Sequence, residues 1–322
     1  MYVATGKFDL IFTGHFAIDH KIIRGKEIRG LGGTVTFGSL ATAIFNPKLR
    51  IGIISTVGKD FKPEYRQFIE THGVDTSGIS TVGEISTHYT LDYVDGGRTL
   101  YLSGRAPDLN VQQIPKPYFN TKCVMLGPIA GEISNEFIFK FLERAGGNII
   151  VGMDAQGFIR NFAEDGKVLE CSMSKKCENI YSLIDELDEN LVFKASDTEA
   201  AAITGKQDPY QATEELCRNK AVIAVTRGPK GSLVKVQGHD ILKIPAFKPR
   251  EVVDETGAGD AYMAGFLAQY IAGGREIRNL AKCGIVGSAA ASFLIEEPGP
   301  RGFGSQDQIF ARIEQKQYLP VE

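Results

Sequence analysis

Short apolar runs alternate with amphipathic helical patterns along this 322-residue chain, and that alternation restricts the fold more than any other feature. Phe8–Gly14, Ile51–Val57, Cys123–Gly127, Asn148–Asp154, Leu191–Ala195 and Ala221–Thr226 are continuous apolar stretches, as parallel strands buried on both faces require. Between them, Lys62–His72, Ser134–Ala145 and Asp208–Asn219 carry apolar residues at helical spacing. Further helices are expected over Ala258–Ala272 and Glu276–Leu294. The pattern predicts an α/β fold with a mostly parallel central sheet covered on both faces. No repeat, low-complexity tract or linker interrupts it, so residues 1–322 read as a single domain.

Two segments break the rhythm. Ile18–Arg29 alternates apolar and charged residues, and Ser86–Arg105 does so more clearly, with Tyr89, Leu91 and Tyr93 before Asp95-Gly-Gly97 and Leu100 and Leu102 after it. The second segment reads as a hairpin with Asp-Gly turn chemistry. Strands with one polar face do not belong in a sheet buried on both sides. A small separate sheet, formed by about residues 16–30 and 85–105 and lying as a lid over one end of the main layer, is expected.

Composition removes several function classes. Hydrophobic content of 43% and charged content of 23% are ordinary for a globular protein, and a net charge of −3 argues against a nucleic-acid backbone binder. The five cysteines (123, 171, 177, 217 and 283) include no Cys-x-x-Cys pair, which suggests neither a zinc site nor a disulfide framework. A reduced cytoplasm is the expected location, with no secretory leader and no membrane span.

The chemistry concentrates in Glu251-Val-Val-Asp-Glu-Thr-Gly-Ala-Gly-Asp260. Gly257 and Gly259 permit a tight turn and close approach of backbone N–H groups to a ligand. The helix that follows starts with orphan N–H donors and a partial positive charge, which together favour an anion. Asp260 would repel that anion unless it serves as a base, taking the proton from a hydroxyl about to attack a phosphoryl group. The other reading of the turn is a capped loop. No Walker lysine and no Gly-x-Gly-x-x-Gly are present.

Other candidates follow strand ends, where open α/β sheets bind ligands. Asp19, in Gly14-His-Phe-Ala-Ile-Asp-His20, could accept two sugar hydroxyl protons or cap a turn. Gly32 and Gly33 precede a helix running to Phe45. Glu199, in Ser196-Asp-Thr-Glu199, could complete a helix capping box. Arg105 and Arg160 are charged forks suited to hydroxyl or phosphate contacts, or are solvated surface residues. His15, His20 and His88 could touch a ligand but read as bystanders.

Asp254-Glu-Thr-Gly-Ala-Gly-Asp260 resembles the C-terminal signature Asp-x-Thr-Gly-Ala-Gly-Asp of the ribokinase-like (PfkB) family of sugar and nucleoside kinases, matching every fixed position. The resemblance spans roughly residues 8 to 300. It implies a three-layer ribokinase-like fold with a β-sheet lid, ATP as donor, Mg2+, and in some relatives a monovalent cation. It implies Asp260 as catalytic base and the N–H groups of Gly257, Ala258 and Gly259 as stabilisers of the transferring phosphoryl group. Asp19 and the Gly32–Gly33 pair would bind substrate. Thr226, Gly228 and Gly231, in Thr226-Arg-Gly-Pro-Lys-Gly231, would line the nucleotide together with Thr256. Glu199 would hold magnesium through water, with Ser196 where the family has Asn.

Asp154-Ala-Gln-Gly-Phe-Ile-Arg160 looks most like the myo-inositol kinases of the family, which adds Gln156 and Arg160, with Arg105, to the substrate side. Phe37 stands where many sugar kinases have a sugar-binding Asn. Myo-inositol or a similar polyol is therefore the first expected substrate. A nucleoside or ribose-type sugar is the alternative, with Phe37, Tyr89 and Tyr101 available for a nucleobase slot. A non-catalytic sugar-binding regulator and a dinucleotide-dependent oxidoreductase are the readings from other classes. Partners are expected to be small molecules rather than nucleic acid or membrane, with a homodimer through the lid plausible.

Overall fold

The computed structural model describes residues 6–23, 26–94, 97–169, 175–274 and 276–319. The first strand, β1 (Phe8–Thr13), leads into β2 (Ala17–Ile23), β3 (Lys26–Gly32), α1 (Thr34–Phe45), β4 (Ile51–Val57), α2 (Pro63–Glu70) and β5 (Asp75–Thr81). A hairpin, β6 (Thr87–Val94) and β7 (Gly97–Gly104), precedes β8 (Thr121–Leu126), α3 (Asn135–Ala145), β9 (Ile150–Asp154) and the one-turn α4 (Gln156–Ile159). Next come β10 (Asn161–Phe162), β11 (Val168–Leu169), α5 (Lys175–Leu187), β12 (Leu191–Ser196), α6 (Asp197–Thr204) and α7 (Pro209–Leu216). The last third holds β13 (Val222–Thr226), β14 (Ser232–Lys235), β15 (Leu242–Ile244), α8 (Ala258–Gly273), α9 (Ile277–Leu294) and α10 (Gln306–Gln315).

Nine strands form the main sheet in the order β15-β14-β13-β12-β9-β8-β1-β4-β5, parallel from β13 to β5 and antiparallel over β13-β14-β15. The chain builds outward from β1 in both directions, so the boundary between β1 and β8 is a topological switch point, and ligands of such sheets bind beyond the carboxyl ends there. Leu10, Ile11, Phe12, Val124, Met125, Val151, Phe193 and Ile223 are buried between the two helical layers. The expected continuous apolar strands thus occupy the middle of the sheet.

A second sheet has the order β3-β2-β6-β7, with β2 and β6 parallel and the outer pairs antiparallel. It contains both segments that broke the helical rhythm. The tip residues Asp95 and Gly96, on which the Asp-Gly turn expectation rests, lie outside the described residues, as does Cys171. The other four cysteines are free thiols. Among the described residues no helix is long and apolar enough to cross a membrane.

Several elements have no counterpart in the sequence reading, the short α4, β10 and β11 among them. Strand β5 is rich in Ser and Thr because it is a sheet edge, and α5, β15 and α10 are also new. By contrast α8 reads correctly as a helix of small residues. It is buried on nearly every side from Ala261 to Ala268, as a helix apolar all round must be.

Candidate active site

Two cavities meet at the start of α8. One, of about 330 Å³, opens between the small sheet and the carboxyl ends of β9 and β12, and Asp19, Phe37, Tyr89, Asp154, Arg160 and Asp260 lie on its wall. The other, of about 200 Å³, lies behind the turn, with Gly228, Gly231, Phe247, Pro249, Val252 and Ile295 on its wall. Thr226, Glu255, Ala258 and Gly259 face both.

The turn between them is shaped by Gly257, whose φ of 84° is left-handed. A Cβ on Gly257 would lie 2.4 Å from the Phe37 ring, so only glycine fits over that aromatic. Phe37 is thereby explained: instead of presenting a polar group to a sugar, it is the floor under the turn. Asp254 braces the turn, its Oδ1 accepting from Thr256 N–H at 3.0 Å and its Oδ2 from Gly299 N–H at 3.1 Å. Lys21, on β2 of the small sheet, adds an ion pair to the same carboxylate at 2.5 Å. Burial disfavours the charged form of Asp254, but Lys21 and Thr256 outweigh it and hold the carboxyl below its usual range.

The N–H of Ala258 is turned onto the Glu255 carbonyl at 3.2 Å, which removes one of the three donors expected to face an anion. Gly259 and Asp260 remain as first-turn donors without a partner among the described residues, and Gly257 N–H is likewise unengaged. The carboxyl of Asp260 is raised to about 7, first by burial and then by the neighbouring Asp154 charge, against which Lys194 and Arg160 act. A group of that affinity changes its proton near neutral pH, as a general base should.

On the far wall, Asp19 approaches the Gly32–Gly33 pair. A Cβ on Gly32 would stand 2.2 Å from an Asp19 carboxylate oxygen, and Gly33, at φ 87°, caps α1 where a Cβ would meet the His15 carbonyl at 2.6 Å. Gly33 lines the larger cavity, whereas Gly32 serves by leaving room for Asp19. Tyr89 pairs with Asp19 across β2 and β6, and Leu91 pairs with Leu100 across β6 and β7. These side chains share one face by the two-residue period of a strand. Tyr101 falls on the opposite face and does not line the cavity, so the expected aromatic slot consists of Phe37 and Tyr89 without it.

Gln156 lines the same cavity at the start of α4, its N–H held by Asp154 Oδ1 at 3.1 Å. Arg160 reaches the wall with Nη1 on the Ile129 carbonyl at 3.1 Å and its guanidinium 5.7 Å from the Tyr89 ring centroid. Arg105 corrects the sequence reading. Its fork is spent on the Ala130 carbonyl at 3.0 Å and on Asp108 at 2.5 Å, and it lines neither cavity. Glu199 lines the larger cavity and also closes the capping box, its Oε2 accepting from Ser196 N–H at 2.8 Å while Ser196 Oγ accepts from Glu199 N–H at 3.2 Å. The capping-box reading of that motif therefore holds in geometry, and Glu199 faces the cavity as well.

The histidines are structural. His15 is fully buried, and its Nε2 can only donate to the Pro107 carbonyl at 3.0 Å, so Nδ1 accepts the Thr87 hydroxyl at 2.8 Å. His88 joins His20 at 3.0 Å and Asp60 at 2.6 Å, away from both cavities.

Three residues escaped the sequence reading. Lys194 sits at the end of β12 with Nζ 2.8 Å from Asp154 Oδ2, both almost fully buried. A lysine inside the apolar run Leu-Val-Phe-Lys-Ala was the available signal. Glu132 is completely buried and accepts from the N–H groups of His15 (2.7 Å), Ile129 (3.0 Å) and Ala130 (2.7 Å), tying the loops after β1 and β8 together. Glu255, between the two cavities, carried no spacing signal.

Residues 158–307 match the profile of the pfkB family carbohydrate kinases. The chain carries a PfkB-family carbohydrate kinase domain. A nucleoside kinase from Methanocaldococcus jannaschii is 28% identical over 280 residues, covering 85% of this chain and 83% of that protein. A cytidine kinase from Thermococcus kodakarensis is 27% identical over 295 residues, covering 90% and 97%. A pyrophosphate-dependent kinase of the ribokinase family, solved with a pyrophosphate analog and myo-inositol, superposes with a TM-score of 0.73 at 19% identity over 94% of this chain and 99% of that one. The fold is thus the ribokinase fold, and this PfkB protein is a sugar or nucleoside kinase, transferring phosphoryl groups to an alcohol.

For this PfkB kinase, Gly257→Ala is expected to lower kcat by about 10²–10³-fold, since the left-handed backbone and the Phe37 contact both force the donor N–H groups out of place. The double variant Gly257→Ala/Phe37→Ala removes the ring clash and is expected to recover part of the rate. Steady-state kinetics of the pair checks it, and a Gly257→Ala enzyme of near-normal kcat would show that the turn tolerates displacement.

Proposed function

We propose that this protein transfers the γ-phosphoryl group of ATP to a hydroxyl of a nucleoside, by base catalysis from Asp260. One observation carries the reading: the acceptor-side and donor-side cavities share Thr226, Glu255, Ala258 and Gly259 on their walls, at a helix start beside a carboxyl poised near neutral pH. Phosphoryl transfer needs that arrangement, with two reactants meeting end to end at a cluster of N–H donors.

In this mechanism Asp19 holds an acceptor hydroxyl, and Asp260 takes the proton from the attacking one. The acceptor oxygen forms its bond to the γ-phosphorus as the bond to the β-phosphate oxygen breaks, leaving ADP. Charge on the transferring group meets the N–H groups of Gly257, Gly259 and Asp260 and the positive end of α8. The donor-side cavity has the apolar walls Phe247, Pro249, Val252 and Ile295, which suit a nucleobase, and a bare pyrophosphate would have no use for them. Thr226, Gly228 and Gly231 then follow its ribose and phosphates.

A divalent ion fits this site as a phosphate-bound one. No group of three His, Cys, Asp or Glu among the described residues is placed to hold a metal. Glu199 has one oxygen committed to its cap and the other available to a coordinating water. When bound, such an ion neutralises phosphate oxygens.

The acceptor reading rests on the apolar row Tyr89, Leu91 and Leu100 facing the cavity, which provides a base slot beside Asp19, and on the similarity to nucleoside and cytidine kinases. Gln156 and Arg160 on the opposite wall favour a second reading, a cyclic polyol such as myo-inositol. Rates of ATP consumption with cytidine, adenosine, myo-inositol, ribose, fructose 6-phosphate and 2-keto-3-deoxygluconate decide between them. The expected result is a kcat/KM for a nucleoside at least tenfold above every other acceptor. A preference for myo-inositol transfers the assignment to the second reading, and turnover with pyrophosphate but not ATP would overturn the donor.

A further inference from the structure

A cleft built to receive phosphate is lined by five carboxylates (Asp19, Asp154, Glu199, Glu255 and Asp260) against two cations, Arg160 and Lys194. Arg160 is already committed to the Ile129 carbonyl and the face of Tyr89. Lys194 is the other cation. It lies opposite Asp154 in the parallel pairing of β12 with β9, its Nζ 2.8 Å from Asp154 Oδ2, with 5% of the residue exposed. The ammonium also presses on the catalytic turn: a Cβ on Gly259 would stand 2.8 Å from Nζ. Gly259 is the residue before Asp260, so one buried cation touches the partner carboxylate on β9 and the first turn of α8 at once.

We propose that Lys194 is a positioning residue for phosphoryl transfer, supplying the counter-charge that lets Asp260 act as a base beside Asp154. The proposal rests on the kinase reading, in which Asp260 is that base. Two carboxylates in one buried cleft tend to share a proton, and the one that keeps it is useless as a base. Asp154 is the neighbour that pushes Asp260 toward its protonated form, and Lys194 is the first of the charges that oppose it, ahead of Arg160. Burial disfavours the ammonium itself, yet Asp154, Glu199 and Asp260 outweigh burial, so Lys194 stays charged throughout the range in which Asp260 titrates. Removing the amine leaves Asp154 without its ion-pair partner and Asp260 without its main opponent to protonation.

The test compares wild type, Lys194→Arg, Lys194→Met, Asp154→Asn and the double variant Lys194→Met/Asp154→Asn. Each is followed by the pH dependence of kcat at saturating substrates and by carbon-13 titration of the Asp260 carboxyl in aspartate-labelled protein, assigned through the peak lost in Asp260→Asn. Lys194→Met is expected to move both midpoints upward by about 1–3 pH units, lowering kcat at neutral pH by about 5–500-fold with recovery at alkaline pH. Lys194→Arg stays near wild type, Asp154→Asn moves the midpoint down, and the double variant returns toward wild type because both charges are gone.

Should Lys194→Met fail to fold, Asp154→Asn against the double variant isolates the same charge without an unpaired carboxylate at 154. A folded Lys194→Met with an unmoved midpoint overturns the proposal, and so does a fall in kcat that is uniform across pH. A wild type inert with every acceptor would sink the kinase reading instead. The carboxyl titration, which needs no turnover, would then decide the coupling of Lys194 to Asp260 by itself.

Discussion

Asp260→Asn is expected to reduce kcat by about 10²–10⁴-fold while leaving acceptor KM within a few-fold, because the amide keeps the shape of the carboxyl and cannot take the proton. The same substitution is expected to make the protein more stable. Asp260 is raised to about 7 in the folded protein, so the fold prefers its protonated form. The contribution of a group raised in this way is fully present below the ordinary carboxylate range and is lost as pH rises through about 7. Above that pH the native state carries a half-buried charge that it disfavours, worth at most about 4 kcal/mol for a displacement of this size. The asparagine variant therefore melts above wild type at pH 8–9 and level with it near pH 4. Thermal unfolding across pH, run beside steady-state kinetics, reads both effects. A variant that keeps near-normal turnover defeats the base assignment, and one that is no more stable at pH 9 shows that the native charge is better solvated than its burial implies.

Glu132→Ala is expected to be the most destabilising single change near the cleft. The carboxylate is fully buried and accepts from three backbone N–H groups, of His15, Ile129 and Ala130. Truncation strands all three in a dry interior, at about 1–3 kcal/mol each, for a loss of about 3 kcal/mol or more. Glu132→Gln retains one acceptor and should fall between the two. The damage also reaches function, because the Ile129 carbonyl receives both the Tyr89 hydroxyl and Arg160 Nη1. A raised acceptor KM should therefore accompany the lower unfolding midpoint in urea. If Glu132→Ala unfolds at the wild-type urea concentration, water must replace the lost acceptor.

Much of the architecture was legible because burial on both faces leaves a strong imprint on composition. The six central strands and five of the main helices announced themselves as apolar runs or helical periodicity, within a few residues of their ends. Strand β5 did not, since an edge strand has only one covered side and tolerates the Ser and Thr of Asp75–Thr81. The site divides in the same way. Asp260, the glycines of the turn, Asp19 and Glu199 sit in local motifs, each with a spacing that points to a turn or a helix start. Lys194 and Glu132 owe their partners to pairings between strands or loops far apart in the chain, and Glu255, inside the turn itself, carried no spacing signal. Arg105 shows the converse error, a charged residue beside a good motif whose hydrogen bonds are spent on its own loop and on the Ala130 carbonyl of the loop after β8.

Asp19 and Lys21 stand two residues apart on β2 and so point the same way, one into the acceptor cavity and the other onto the carboxylate that braces the catalytic turn. In the proposed reading a single stretch of strand thus serves both choice of substrate and assembly of the machinery. Redesign of that strand for a new acceptor carries a built-in coupling: any shift of its backbone that accommodates a different ring also tugs on Asp254. Selectivity and speed are mechanically linked there, and variants selected for a new substrate should need a compensating change at the Lys21–Asp254 contact before their rates recover.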